Sequence, residues 1–93
     1  MGKVEALLEI LARREERCLL ADGFEDALIG LSATTPGRKA LAVYDYDKCI
    51  DILVRQEGMD RDEAVEFFEF NTIGAWVGEG TPVFVSVLEE ETE

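Results

Sequence analysis

Residues 44–71 read YDYDKCIDILVRQEGMDRDEAVEFFEFN, and their spacing calls for two helices in succession. Tyr46, Cys49, Ile50, Leu53 and Val54 recur with the helical period, and Asp45 stands ahead of them as an N-cap. Gly58 supplies the left-handed conformation that ends such a helix. The next one starts at once. Asp60 is its N-cap, Glu63 is the reciprocal half of a capping box, and Met59 is placed to staple against Ala64. Val65, Phe67, Phe68, Phe70, Ile73, Ala75 and Trp76 make this helix apolar on more than one side, until Gly78 and Gly80 close it.

Upstream, Val4, Leu7, Leu8 and Leu11 fall at i, i+3, i+4 and i+7, and Cys18 and Leu19 continue the stripe. The spacing predicts a helix over 3–20, with Glu9 and Arg13 as a favourable i, i+4 pair and Asp22-Gly23 as its stop. Residues 27–34 and 40–45 read as strands joined through Pro36-Gly37, a pair suited to a type II turn. Gly30 inside the first strand signals a bulge or a close approach by something bulky. Downstream, Pro82 opens VFVSVL (83–88), a third strand expected to pair with one arm of the hairpin. The order α-β-β-α-α-β implies the α+β class: a three-stranded, mainly antiparallel sheet covered on one face by helices. The 93 residues form one expected domain, 1–93, with an acidic tail at 89–93 that frays.

The chain carries 21 acidic and 9 basic residues and no histidine, a net charge of −12. Residues 1–44 hold seven acidic and six basic groups, whereas residues 45–93 hold fourteen and three. Such a field repels nucleic acid and anionic lipid, so neither is an expected partner. A basic protein suits it better. Asp45, Asp47, Asp60, Asp62 and Glu63 have a local reason as caps or first-turn carboxylates. Asp51, Glu57, Glu66, Glu69 and Glu79 have none. No apolar run reaches the ~18 residues of a membrane span, and the N-terminus lacks a signal-peptide apolar region, so a soluble cytoplasmic protein is expected.

Reactive chemistry is sparse. Cys18 and Cys49 lie in apolar stripes without histidine or a CxxC pair, which reads as two buried free thiols and no metal. Asp45, Asp47 and Asp51 lack EF-hand spacing, and capping plus solvation accounts for them. GEG at 78–80 precedes no helix and is a turn. No cofactor and no enzymatic activity are expected. Arg13, Arg14, Arg17, Arg38 and Lys39 are the contacts a bound nucleotide would have to use; pairing of the first three with Glu9, Glu15 and Glu16 competes with that role. Asn71 is expected on the apolar stripe, hydrogen-bonded to backbone such as the Gly78–Thr81 loop, or else to a ligand. Trp76 is core filler or an interface anchor. Phe67 and Phe70 share a face that Phe68 does not. Burying all three needs a helix sandwiched in the monomer or a second copy, which points to a homodimer.

GFEDALIG (23–30), VYDYDK (43–48), Gly58-Met59, Glu63-Ala64, Glu66-Phe67 and the run from Phe68 to Phe84, with FEFN, GA, VGE and TP, resemble a group of small, mostly uncharacterised proteins of tailed phages and prophages. The resemblance implies a phage or prophage origin and transfers no site. Together these readings point to a non-enzymatic interaction protein acting on a host or phage protein, counter-defence by imitation of DNA being the sharp form. The expected surface is acidic and aromatic, from Glu63, Glu66, Glu69, Asn71, Trp76 and Glu79. The alternative is a small-molecule or nucleotide-binding module, a signal sponge with its site at a dimer interface.

Overall fold

A computed structural model of the chain describes residues 2–32, 39–72 and 80–89. Among these, α1 spans Lys3–Arg14, β1 Leu28–Leu31, β2 Ala42–Asp45, α2 Tyr46–Glu57, α3 Arg61–Phe67 and β3 Val83–Val85. A short 3-10 turn, Glu25–Ala27, leads into β1, and a π-helical turn, Phe68–Thr72, continues α3.

The caps around α2 and α3 form as their residues dictate. The Lys48 backbone N–H donates to Asp45 Oδ1 at 3.2 Å, and Gly58 takes φ 69° at the end of α2. Both capping-box bonds are made, Glu63 N–H to Asp60 Oδ1 at 2.9 Å and Asp60 N–H to Glu63 Oε1 at 3.4 Å. Met59 packs against the core that holds the fully buried Ala64.

The first helix is shorter than its stripe predicts. Glu15 adopts φ 55°, its N–H donates to the Ala12 carbonyl, and Glu16 N–H reaches back to the Leu11 carbonyl at 2.9 Å. This is a Schellman ending without glycine. After Leu11 the next stripe positions fall on Arg14 and Glu15, a break of one turn in the apolar face before Cys18 and Leu19. Leu7 and Leu11 are buried, Val4 is half-buried and Leu8 is exposed. Residues 16–21 instead run as a connection, tied where Leu19 N–H donates to the Gly80 carbonyl and Ala21 N–H to the Tyr44 hydroxyl at 2.8 Å. Gly23, at φ 91°, turns the chain ahead of the 3-10 segment.

The sheet has the order β1-β2-β3 and is mixed. The β1–β2 pair is antiparallel, with Leu28 opposite Tyr44 but Gly30 opposite Val43, so Ile29 is the extra residue of a bulge. Of the two expectations at Gly30, the bulge is the one realised; space beside it is open. The hairpin tip with Pro36-Gly37 lies outside the described residues. β3 runs parallel to β2, in register Val43–Val83, Tyr44–Phe84 and Asp45–Val85. The mainly antiparallel expectation is corrected on this point. A helical crossover, here α2 and α3, returns the chain to start a strand in the direction it left.

One core lies on one side of this sheet. Ala42, Tyr44 and Phe84 face it from the strands, Leu7 and Leu11 from α1, Cys49, Ile50 and Leu53 from α2, and Ala64 and Phe68 from α3 and the turn after it. Val43, Val83 and Val85 alternate to the other face. The Tyr44 hydroxyl is the acceptor for a buried backbone N–H. Tyr44→Phe removes it and should cost about 1–3 kcal/mol, the penalty for an orphaned buried donor, read from the midpoint of urea denaturation.

Candidate functional site

The capping box sets where α3 begins, and burial of Ala64 and Phe68 sets which of its sides faces the core. Phe68 is 0% exposed, whereas Phe67 is 40% and Phe70 76% exposed. Residues three apart share a helix side and adjacent ones lie about 100° apart, so a helix that buries Phe68 leaves Phe67 and Phe70 outside. Met59, Glu63, Glu66 and Asn71 join these two rings around an open hollow of about 360 Å³. Apolar side chains and two carboxylates thus share one open lining.

Glu69 is not part of it. Each three-residue step walks a row about 60° around a helix, so Glu63, Glu66 and Glu69 do not keep one face. Glu69 lies close enough to Tyr46 to raise that phenol's pKa, after burial itself; Asp47 adds to the rise and Arg61 opposes it. Asn71 also departs from expectation. It is exposed, and its Nδ2 donates to the Phe67 carbonyl at 3.2 Å, so its partner among the described residues is backbone; Gly78 and Glu79 of the loop expected to bind it lie outside them. The wider π-helical turn holds more residues per turn, which rotates Asn71 off the buried stripe that a 3.6-residue period would give it. Trp76, Glu79 and Arg38 lie outside the described residues.

The acidic start of α2 has a partner that periodicity alone does not reveal. Arg61, at the first position of α3, reaches Asp47 Oδ1 and Asp51 Oδ1, each at 3.4 Å. Asp51 thus has a structural use. Both pairs are exposed and contribute little stability singly. Among the described residues no group of three or more Cys, Asp or Glu side chains is arranged to hold a metal ion.

The described residues among the expected anion contacts, Arg13, Arg14, Arg17 and Lys39, line neither the hollow on α3 nor one along α2. Arg13 and Arg14 occupy the last turn of α1, where the helix dipole favours cations, Arg17 is exposed in the connection, and Lys39 is exposed ahead of β2. Among the described residues ion pairs run from Arg61, so the Glu9–Arg13 pair expected from spacing is not made. Nor is pairing of Glu16: its Oε2 is buried with no hydrogen-bond partner among the described residues. A second hollow of about 280 Å³ along α2 is lined by Asp26, Lys48, Asp51, Ile52, Arg55 and Gln56.

Neither thiol is poised for reaction. Burial raises the Cys18 pKa, with the Ala42 backbone opposing and Glu16 adding. Burial, helped by Asp45, pushes Cys49 up to about 12. Both are free, Cys49 buried and Cys18 half-buried. No helix among the described residues is long and apolar enough to cross a membrane. Comparison with protein-family models, with curated proteins and with solved structures finds no match to this chain.

Two outcomes follow from this placement. Phe68→Ala should lose about 3–5 kcal/mol in urea denaturation, while Phe70→Ala stays within about 0.5 kcal/mol of the parent. For Cys49 the folded pKa lies above the ordinary thiol value of 9.0. The unfolded chain therefore ionises first, and the stability this thiol contributes below pH 9 is lost as pH climbs toward 12. Chemical denaturation across that range should show the decline, and Cys49→Ser should flatten it.

Proposed function

We propose that this chain is a non-enzymatic interaction protein that receives a basic, amphipathic segment of a protein partner on the face formed by Met59, Phe67 and Phe70. The observation that carries the reading is that two exposed rings share the lining of one open hollow with Glu63 and Glu66. Aromatic side chains in solvent are the usual anchors of interfaces, since a flat ring buries much area with little rotamer freedom to lose. Carboxylates around them select for lysine or arginine and speed encounter through the field of the whole chain.

The same geometry favours a mixed apolar and ionic contact over imitation of DNA. A DNA mimic needs a regular row of negative charge, about one per 1.7 Å of axis, and no apolar centre. Here Glu69 leaves the row and the rings occupy the middle. A face-to-face second copy is a poorer occupant of this hollow, because it would bring Glu63 and Glu66 against their own equivalents. In the setting that the phage resemblance implies, the partner is a host or phage protein and the compartment is the host cytoplasm. Nucleotide binding has less support, since Arg13, Arg14, Arg17 and Lys39 line neither hollow.

A labelled helical peptide with leucines at i, i+3 and i+7 and lysines on their flanks tests the reading by fluorescence anisotropy. It should bind, more weakly as salt rises, while a glutamate-flanked version with the same leucines should not. Phe70→Ala should weaken binding about tenfold or more. Glu66→Gln should lower both affinity and salt dependence, whereas Glu9→Gln, the same charge change on α1, should leave them nearly unaltered. Equal binding of the two peptides, or indifference to Phe70→Ala, overturns the assignment.

A further inference from the structure

The two edges of the sheet are finished differently. On β1 the Ile29 bulge disrupts the ladder, a common way to blunt an edge. Among the described residues β3 carries no bulge, and no charge follows it until Glu89. The run VFVSVL (83–88) is apolar and β-branched with no charge. Only Val83–Val85 pair with β2, because β2 stops at Asp45 where α2 begins. Ser86, Val87 and Leu88 run past the sheet, with Val87 51% and Leu88 90% exposed.

We infer that β3 is the seam of a homodimer, in which residues 83–88 of two copies pair antiparallel about a two-fold axis at Ser86. The register follows from symmetry. A two-fold axis perpendicular to a sheet keeps its faces, so a residue must lie opposite its own copy and cross-strand pairs must share a face. Centring on Ser86 puts Phe84 beside the partner copy's residue 88 on the core side, and Val85 beside its residue 87 on the other. Leu88 then covers the flank of Phe84, a ring already stacked on Tyr44 at 5.5 Å, and is itself removed from water. The smallest side chain of the run sits on the axis. Glu89 falls opposite residue 83, a valine, so no carboxylate faces another along the seam. A parallel pairing in register would stack Glu89 on its own copy.

Two chains of −12 repel at long range, so this dimer must tighten as salt screens them. Sedimentation equilibrium of the full chain should show a monomer–dimer equilibrium that shifts toward dimer at higher ionic strength. Leu88→Asp, at a position too exposed to matter for the fold, should weaken association about tenfold or more. Under mild oxidation Ser86→Cys should form a disulfide-linked dimer much faster than the parent, which carries only Cys18 and Cys49, and faster than Glu89→Cys, whose copies lie apart in this register. A chain that stays monomeric at high salt, or a dimer indifferent to Leu88→Asp and linked equally through either new cysteine, overturns the inference.

Discussion

The ring of Phe68 holds this structure together. It is fully buried and meets Phe24, Tyr46 and Phe84 edge-on, with centroids 5.3, 5.5 and 5.0 Å away, while Phe84 also stacks on Tyr44. These contacts tie the segment before β1, the strand β2, the start of α2 and the strand β3 to one point on the helical segment. Each such pair adds about 0.5–1.5 kcal/mol beyond the area it buries. In a chain this short the buried fraction is small, so a single ring shared among three segments carries a large part of the tertiary specificity. Everything else about α3 is a consequence. Once Phe68 is inside, the helical period leaves Phe67 and Phe70 in water, and the acidic residues on their side line the same hollow.

What the sequence made legible were the features set by neighbours within a few residues. Asp45, Gly58, Asp60 and Glu63 cap their helices as their types require, because capping bonds close over three or four positions and need no tertiary partner. Gly30 marked a bulge for a similar reason. The end of α1 was hidden by Cys18 and Leu19, which share the helical period with Leu7 and Leu11 but serve a connection running to Gly80 and Tyr44. Periodicity cannot distinguish a stripe that continues from apolar residues that resume elsewhere. The direction of β3 depends on how α2 and α3 cross the sheet, a long-range matter.

The candidate site was half visible. Glu63 and Glu66 were singled out as acidic residues, and the three phenylalanines as too many for one face. Which ring goes in was not readable from the period alone, since either side of α3 presents an aromatic. Asn71 was misplaced because a π-helical turn has no reliable sequence mark, and the wider turn moves each later side chain around the axis. Asp51 looked idle until Arg61, ten residues along, came to face it. That leaves Glu66 as a carboxylate at the hollow without a capping role or ion pair among the described residues, and so as the clearest contributor to a partner's electrostatics.

Charge would act in opposite directions on the two contacts proposed for this molecule. At the hollow on α3 the negative field attracts, because the expected occupant is basic. Along the strand edge it would resist, because the proposed occupant is a second chain of the same sign. A two-fold axis perpendicular to the sheet also keeps both helical layers on one side. Both hollows of a dimer would then be presented to the same partner or assembly, and the second contact would form at the effective concentration set by the first. The charge that would weaken such a seam would also strengthen the pull on a basic ligand spanning both copies. A positively charged partner would screen the two subunits from one another, so its binding and the closing of the seam would favour each other without any change in the fold.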